Sequence, residues 1–440
     1  MLLLPLLLAL SGLATISFLV WLAFFFDPQR FWDFQPVGDD TPIHDPESEI
    51  RDEHWPPVCI IVPARNEAQT LPRTFPALLN QDYPGSCTVV LVDDRSSDGT
   101  ADAARPIAEQ FGRAERLQVI AGAPLPEGWV GKVWALQQGI QNAKCKMQNV
   151  AQPRIESGPQ EPVAKGQEPE AKGQEPAFFL LTDADILHAP GSLRRLVAES
   201  VSGQLGLNSR MARLRCQSQA ERLLIPAFVF FFNMLYPMRR VNSFGDKRTA
   251  AAAGGCMLLS REALEKIGGG LDCIRGEIID DVNLARQVKR AGCALALSLS
   301  RNDVRSLREY PRLSNVWRMV RRTAFTELKY SWLRLIGALL GLGLLFVVPV
   351  LSLLGGLAGL LAAGSPAVVL TALWATLKGL LTLALMRCVY GPAASFFDLP
   401  RRYAYTLPLA GVLYGLMTLD SALRHARGAG VQWRTGKDEG

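Results

Sequence analysis

Residues 58–67 read VCIIVPARNE, an apolar run that stops at a proline and opens into a polar loop. A second apolar run, from Thr88 to Val92, ends in the polar segment DDRSSDGT at residues 93–100. Short apolar runs bounded by turn-forming residues are typical of strands that are buried on both faces of a sheet. Because helical segments follow both runs, the pattern predicts an α/β protein with a mostly parallel, Rossmann-like sheet.

A third run, FFLLTDAD at residues 178–185, ends on two aspartates one residue apart. Ligands of open parallel sheets bind beyond the carboxyl ends of the strands, so the three polar segments are expected to meet in one crevice. Asp183 and Asp185 can share a divalent metal ion, Mg²⁺ or Mn²⁺, and such an ion helps a pyrophosphate to leave. The structural alternative is that these aspartates accept hydrogen bonds from loop N–H groups.

Another acidic pair, Asp280 and Asp281, lies in the segment RGEIIDDVNL at residues 275–284, before a helix predicted at 283–291. Acidic residues at a helix N-terminus are favourable caps, which is the structural alternative. Two adjacent carboxylates also repel each other, and this raises the proton affinity of one of them. Such a pair suits a general base that removes a proton from a hydroxyl group.

These segments together resemble the family 2 inverting glycosyltransferases, which have the GT-A fold. The resemblance rests on VPARNEAQTLPRTFPALLNQDYPG from residue 62, VVLVDDRSSDGTADAAR from residue 89, and LLTDAD from residue 180. It implies a nucleotide-diphospho-sugar transferase fold and a nucleoside diphosphate sugar as the donor. In that family the first loop and the DD pair hold the nucleoside, while the D-x-D motif holds a metal on the diphosphate.

By position, the resemblance assigns the donor to a set of residues at the strand ends: Pro63, Arg65, Glu67, Asp93, Asp94 and Asp183. Asp185, together with Asp183, is assigned to the metal. For Asp93, capping of the following turn is an equally good prediction.

The resemblance also assigns the catalytic step. Asp281, followed by Leu284, matches the [E/D]-D-x-x-L pattern whose second acid is the general base, and Asp280 is its acidic neighbour. Lys132 and Arg321 are expected to help neutralise the departing diphosphate.

Five segments look like the hopene-associated branch of these transferases: GAPLPEGWVGKVWAL at 122–136, ERLLIPAFVFFFNMLYPMRRVN at 221–242, TAAAAGGCMLLSREAL at 249–264, RGEIIDDVNLARQVK at 275–289 and VWRMVRRTAF at 316–325. The resemblance implies a bacterial enzyme that acts on a hopanoid-like lipid acceptor. Processive synthases carry a Q/R-x-x-R-W motif, but here residues 318–322 read RMVRR. The missing tryptophan counts against a polymer-forming synthase, and the arginines either meet phosphates or act as a juxtamembrane stop signal.

Long apolar stretches predict a multi-pass membrane protein. Residues 1–26 are expected to form an N-terminal anchor, and residues 335–420 a membrane region with two or three helices. A catalytic domain at 27–334 lies between them, and residues 421–440 form a polar tail. Arginines beside the spans place the catalytic domain on the cytoplasmic side of a bacterial cytoplasmic (inner) membrane.

Residues 223–238 are apolar but too short to span a bilayer, so they are predicted to lie in the membrane interface. Their aromatic side chains are expected to face lipid: Phe228, Phe230, Phe231, Phe232 and Tyr236. A buried core helix is the alternative. Residues 147–177 carry a tandem repeat, AKGQEPE then AKGQEPA, and are predicted to form a disordered insertion.

The composition argues against a nucleic-acid-binding protein and against a protein built on zinc sites. The 440 residues carry a net charge of +6, and their basic residues are not interleaved with stacking aromatics, so no nucleic acid partner is expected. The 8 cysteines lack Cys-x-x-Cys pairs, which excludes a zinc framework and fits reduced thiols.

The sequence therefore predicts a membrane-bound glycosyltransferase that moves a sugar from a nucleoside diphosphate donor, UDP-linked, to a lipid hydroxyl. Two alternatives stay open. One is a polyprenyl-phosphate sugar transferase, whose ionised acceptor would not need Asp281 as a base. The other is a catalytically inactive membrane scaffold for hopanoid assembly, which the intact set of carboxylates disfavours.

Overall fold

The structure is a computed structural model that describes residues 3–34, 55–148, 175–362 and 364–428. The chain divides into two compact units, which are described separately. The sheet unit comprises Pro36–Arg213 and Val241–Leu307. The helical unit comprises Met1–Gln35, Leu214–Arg240 and Arg308–Gly440.

The described strands, all in the sheet unit, are β1 Val58–Ala64, β2 Cys87–Asp93, β3 Leu117–Ala121, β4 Phe178–Thr182, β5 Ile186–His188, β6 Leu205–Met211, β7 Cys256–Ser260, β8 Ala294–Leu299 and β9 Val304–Ser306. Seven of them form one sheet in the order β3-β2-β1-β4-β7-β6-β8, and β5 pairs with β9. Within the seven-stranded sheet, β7 runs antiparallel to its neighbours and the other described pairs are parallel. The predicted mostly parallel sheet is confirmed.

The described α-helices are α1 Leu3–Phe25, α2 Leu71–Leu79, α3 Thr100–Gln110, α4 Gly131–Gln148, α5 Ser192–Ser202, α6 Gln219–Leu235, α7 Met238–Val241, α8 Arg261–Lys266, α9 Asp280–Arg290, α10 Leu313–Glu327, α11 Trp332–Leu342, α12 Val348–Leu361, α13 Pro366–Phe396 and α14 Leu407–Ala426. The helix predicted at 283–291 thus begins earlier, at Asp280.

The centre of the sheet is apolar on both faces, as the sequence predicts. The residues of β4 are all buried, and so are those of β1 except Pro63. Helix α4 packs on β1 and β2. A Cβ at Gly139 would lie 2.4 Å from Ile61 Cγ2, so this glycine lets α4 approach β1 closely. The close packing fixes the N-terminus of α4 near the strand ends.

Two hydrogen bonds connect segments that follow neighbouring strands. The N–H of Asp94, after β2, donates to the carbonyl of Ala64 at the end of β1, at 2.8 Å. The hydroxyl of Thr74 in α2 donates to the carbonyl of Ala184, after β4, also at 2.8 Å. The polar segments therefore meet at the carboxyl edge of the sheet.

Four described stretches of the helical unit are long and apolar enough to cross a membrane: Leu3–Phe25, Trp332–Leu361, Pro366–Phe396 and Arg401–Ala426. Three of them coincide with or overlap the predicted C-terminal membrane region at 335–420, and the last extends beyond it to Ala426. Helix α1 packs on α12 and α13, while α10 packs on α14.

A lysine interrupts the apolar surface between α1 and α13. Lys378 Nζ lies 2.6 Å from Thr15 Oγ1 and 3.2 Å from Ser11 Oγ. These two hydroxyl groups, both in α1, give the ammonium polar partners inside a helix contact that is otherwise apolar.

The prediction that the aromatic side of 223–238 faces lipid is wrong for Phe230 and Tyr236, which are both buried. The ring of Phe230 packs against Tyr390 of α13 with centroids 5.3 Å apart. The ring of Phe231 packs against Tyr414 of α14 at 5.1 Å. Helix α6 is therefore covered by α10, α13 and α14, because these rings find apolar partners in the same unit.

The predicted domain boundaries also differ from the compact units. Residues 214–240 and 308–334 fall in the helical unit, although the sequence placed them in a catalytic domain at 27–334. Their helices, α6 and α10, use their apolar faces to pack on α14. The repeat at 147–177 lies almost wholly outside the described residues. The 7 cysteines whose side chains the structure describes are free thiols.

Candidate active site

Four charged side chains from separate parts of the chain meet in the sheet unit. Lys132 lies in the first turn of α4, Asp183 follows β4, and Asp280 and Asp281 begin α9. The ammonium of Lys132 is 2.8 Å from Asp183 Oδ1 and 3.4 Å from Asp280 Oδ2. These four residues are called the Lys132 cluster below. It unites the D-x-D segment with the predicted catalytic pair.

Asp281 is fixed within the Lys132 cluster by two backbone amides. The N–H of Gly254 donates to its Oδ2 at 2.9 Å, and the N–H of Val282 donates to its Oδ1 at 2.8 Å. Burial, followed by repulsion from Asp280, raises the pKa of Asp281 to about 6, although Lys132 and the two amides favour the ionised form. Asp281 is therefore ionised at neutral pH and more basic than an ordinary aspartate, which suits a general base.

Lys132 is buried and keeps its charge. Burial acts to lower the pKa of Lys132, but the negative charges of Asp183 and Asp280 outweigh it and hold the pKa above its ordinary value. The cluster still has an excess of carboxylates over ammonium groups. An additional cation is therefore electrostatically favoured beside it.

The loops after β1 and β2 form a second polar group, with Arg65 and Asp94 at its centre. Arg65 Nη1 lies 3.4 Å from Asp94 Oδ2. Burial raises the pKa of Asp94, while the neighbouring charges of Arg65 and Arg95 oppose that shift. The N–H of Glu67 also donates to Thr100 Oγ1 at 2.9 Å, so the two loops are joined. This arrangement presents one guanidinium and one carboxylate at adjacent strand ends.

Of the other residues that the sequence assigned to the donor, Asp93 and Glu67 have hydrogen-bond partners within the protein. Asp93 Oδ1 accepts the N–H of Ser96 at 3.1 Å, so Asp93 caps the turn as its alternative predicted. Glu67 Oε2 accepts the hydroxyl of Thr70 at 2.7 Å. Pro63 lies within β1 and is half-buried. A role for them in nucleotide binding stays a prediction.

The D-x-D aspartates differ in exposure. Asp185 is buried, whereas 38% of the Asp183 side chain is exposed. Among the residues that the structure describes, no three His, Cys, Asp or Glu side chains form a metal-binding group. Two carboxylates fit Mg²⁺ or Mn²⁺ when water and phosphate oxygens supply the other ligands, which is the usual arrangement of Mg²⁺ at phosphate sites. The carboxylate oxygens of Asp183 and Asp185 are thus suitable ligands for such an ion.

Arg321 lies in α10 of the helical unit. Its Nη1 is 3.4 Å from Asp420 Oδ2, and the same oxygen accepts the indole N–H of Trp317 at 2.7 Å. The arginine therefore joins α10 to α14. Its predicted contact with a diphosphate is a separate role that stays a prediction.

Gly254 is a residue of the site that sequence reasoning missed. A Cβ built there would lie 3.0 Å from Lys132 Nζ and 3.4 Å from Asp281 Oδ2. The only signal in the sequence is the Gly254-Gly255 pair before β7, because a glycine beside a strand often marks a close approach. That signal does not reveal which side chains approach it.

The chain matches the family model described as glycosyltransferase like family 2 over residues 56–326. This range covers more than half of the 440 residues and includes the whole Lys132 cluster and the Arg65–Asp94 pair. No curated protein sequence matches the chain.

Solved glycosyltransferase structures resemble the chain at low identity. A mannosyltransferase from Pyrobaculum calidifontis, in complex with GDP-Man and Mn²⁺, is 18% identical with a TM-score of 0.46, covering 93% of this chain and 99% of that chain. A glucosyl-3-phosphoglycerate synthase from Mycobacterium tuberculosis, in complex with phosphoglyceric acid, is 14% identical with a TM-score of 0.39, covering 66% of this chain and 85% of that chain. The ligands named here are those of the two similar proteins.

Proposed function

The chain belongs to glycosyltransferase like family 2, and on that premise we propose that it transfers a sugar from a nucleoside diphosphate donor to a lipid hydroxyl at a membrane. The observation that carries the proposal is the Lys132 cluster. It places a carboxylate of the D-x-D segment, Asp183, and an aspartate with a raised pKa, Asp281, around the ammonium of Lys132. Departure of a diphosphate and removal of a hydroxyl proton need these two kinds of group close together.

The donor is proposed to bind across the carboxyl edge of the sheet, with UDP as its nucleotide. The Arg65–Asp94 pair offers the nucleoside a hydrogen-bond donor and an acceptor at the ends of β1 and β2. The diphosphate then extends toward Asp183 and Lys132. The ammonium of Lys132 donates hydrogen bonds to the phosphate oxygens and stabilises their charge as the bond to the sugar breaks.

Asp183 and Asp185 are the residues that would hold a divalent metal ion, Mg²⁺ or Mn²⁺. When bound, such an ion supplies positive charge to the leaving diphosphate. Lys132 Nζ lies 2.8 Å from Asp183 Oδ1, so this ion pair fixes the position of the carboxylate.

Asp281 is proposed to remove the proton of the acceptor hydroxyl. The oxygen then attacks the anomeric carbon from the face opposite the diphosphate, so the configuration at that carbon is inverted. The hydrogen bonds from Gly254 and Val282 hold both carboxylate oxygens of Asp281 in place, which fixes the base before the acceptor arrives.

The acceptor is proposed to be a hopanoid-like lipid in a bacterial cytoplasmic membrane, with the sheet unit on the cytoplasmic side. Four stretches of the helical unit are long and apolar enough to cross a membrane, which favours a lipid over a soluble acceptor. The segments at 122–136, 221–242 and 249–264 support the hopanoid class through their resemblance to the hopene-associated branch.

The donor and the metal are tested with the full chain in detergent. Release of the nucleoside diphosphate is measured for UDP-glucose and GDP-mannose, with bacterial lipid extract as the acceptor. We expect turnover with UDP-glucose that EDTA abolishes and that Mg²⁺ or Mn²⁺ restores, and we expect Asp185→Asn to be inactive. Asp102→Asn makes the same chemical change at an exposed site of α3 and should keep full activity.

Two results would count against this proposal. Undiminished turnover in excess EDTA would remove the metal from Asp183 and Asp185. Transfer of the sugar to a lipid phosphate would instead favour the polyprenyl-phosphate reaction, whose acceptor is ionised without a base.

A further inference from the structure

Gly254 lies next to both ends of the Lys132 cluster. Its N–H donates to Asp281 Oδ2 at 2.9 Å, and the position of its missing Cβ is 3.0 Å from Lys132 Nζ. Its φ is outside the left-handed region, so the backbone conformation there does not require glycine. Glycine is instead required because Lys132 and Asp281 occupy the space that a side chain would take.

The geometry also indicates what a side chain at this position would displace. A methyl group at 3.0 Å from Lys132 Nζ is closer than carbon and nitrogen atoms ordinarily pack. The ammonium is the end of a flexible chain, whereas Asp281 is held by two backbone amides. Lys132 is therefore the group that would move, away from the carboxylates of Asp183 and Asp280.

We propose that Gly254 is a positioning residue for the transfer reaction: its N–H fixes Asp281, and its lack of a side chain leaves Lys132 the space between the carboxylates. The inference rests on the proposed function, in which Asp281 is the base and Lys132 stabilises the departing diphosphate. A single residue then positions both Asp281, which takes the proton of the acceptor, and Lys132, which stabilises the departing diphosphate.

The adjacent glycine provides a matched control. A Cβ at Gly255 would lie 3.0 Å from Ile186 Cδ1, an apolar atom, at the same distance as the contact of Gly254 with Lys132. Gly254→Ala and Gly255→Ala thus add one methyl group in similarly tight space. Their effects differ only if the contact with the charged cluster matters.

The first test needs no donor or acceptor. The thermal midpoint of the full chain in detergent is measured for Gly254→Ala and Gly255→Ala, each in the wild-type and in the Lys132→Met background. We expect Gly254→Ala to lower the midpoint less in the Lys132→Met background, because the displaced ammonium is absent there. Gly255→Ala should lower it equally in both backgrounds. Equal losses for Gly254→Ala in both backgrounds would overturn the proposal.

The second test is kinetic and keeps the proposal falsifiable if Lys132→Met does not fold. Release of UDP from UDP-glucose, with bacterial lipid extract present, should fall at least about tenfold in kcat for Gly254→Ala with little change in the KM for UDP-glucose. A purely structural role would lower the amount of folded enzyme without this split. Unchanged kcat in folded Gly254→Ala would overturn the inference. A wild-type chain that releases no UDP would contradict the proposed donor, while the thermal test would still decide the role of Gly254.

Discussion

At the scale of single residues, the chemistry of the site depends on how one aspartate differs from its neighbour. Asp281 accepts two backbone N–H groups, whereas Asp280 Oδ2 faces Lys132 at 3.4 Å. Burial and the nearby Asp280 raise the pKa of Asp281. The two adjacent carboxylates therefore have different surroundings, and for this reason the proposed function gives them different roles.

Exchange of Asp281 for asparagine tests this division of roles. Asparagine keeps the size of the side chain but cannot take the acceptor proton, so Asp281→Asn should lower kcat by about two to four orders of magnitude. The Kd for UDP, measured by calorimetry, should change little. Asp280→Asn is the matched comparison and should cost less. A larger loss in Asp280→Asn would make Asp280 the base.

The raised pKa of Asp281 also predicts a pH profile. The base acts only when ionised, and its pKa of about 6 means that protonation begins just below neutral pH. We expect kcat to fall as the pH is lowered from 7.5, to reach half its maximum near pH 6, and to drop about tenfold per unit below that. UDP binding measured over the same range provides the control. A kcat that stays constant down to pH 4.5 would contradict a base with a raised pKa.

The sequence predicted the carboxylates of the site but not how they are arranged. Asp183 and Asp281 stand out because acidic pairs follow an apolar strand and precede a helix. The ion pair between Lys132 and Asp183 depends on how α4 packs across β1 and β2, which is a long-range contact. Gly254 was missed for the same reason, since a glycine gives no chemical sign of the side chains that surround it.

At the scale of elements, helix α6 shows why an apolar segment can be assigned to the wrong environment. The periodicity of 223–238 indicates an apolar face but not what covers it. The structure covers the rings with α13 and α14, and Tyr414 Oη donates a hydrogen bond to the carbonyl of Leu224 at 2.9 Å. By contrast, strands β1, β2 and β4 were predictable, because their apolar runs end at proline or at charged residues.

Substitution of a buried ring in α6 distinguishes these environments. Phe230 is fully buried between Phe31 and Tyr390, so Phe230→Ala should remove about 3–5 kcal/mol of packing and lower the thermal midpoint in detergent by several degrees. Phe228→Ala truncates a half-buried ring of the same helix and should cost clearly less. An equally small decrease in the thermal midpoint for both variants would instead support the lipid-facing arrangement that the sequence suggested.

At the scale of the whole molecule, the chain does not divide where its hydropathy changes. The helical unit takes Leu214–Arg240 and Arg308–Gly440 in addition to the N-terminal segment. Both added segments begin with amphipathic helices, whose apolar faces pack on α14. The sequence predicted the apolar spans themselves, but the membership of α6 and α10 depends on tertiary contacts that local patterns do not contain.

The central claim is that the Lys132 cluster transfers a sugar to a lipid hydroxyl with Asp281 as the base. Mass spectrometry of lipids tests it most directly, after the full chain has been incubated with UDP-glucose and a bacterial lipid extract that contains triterpenoids. We predict that the wild-type chain produces a triterpenoid that carries one added hexose on a hydroxyl group, and that Asp281→Asn produces none. The same product from both proteins, or a hexose attached only to a lipid phosphate, would contradict the claim.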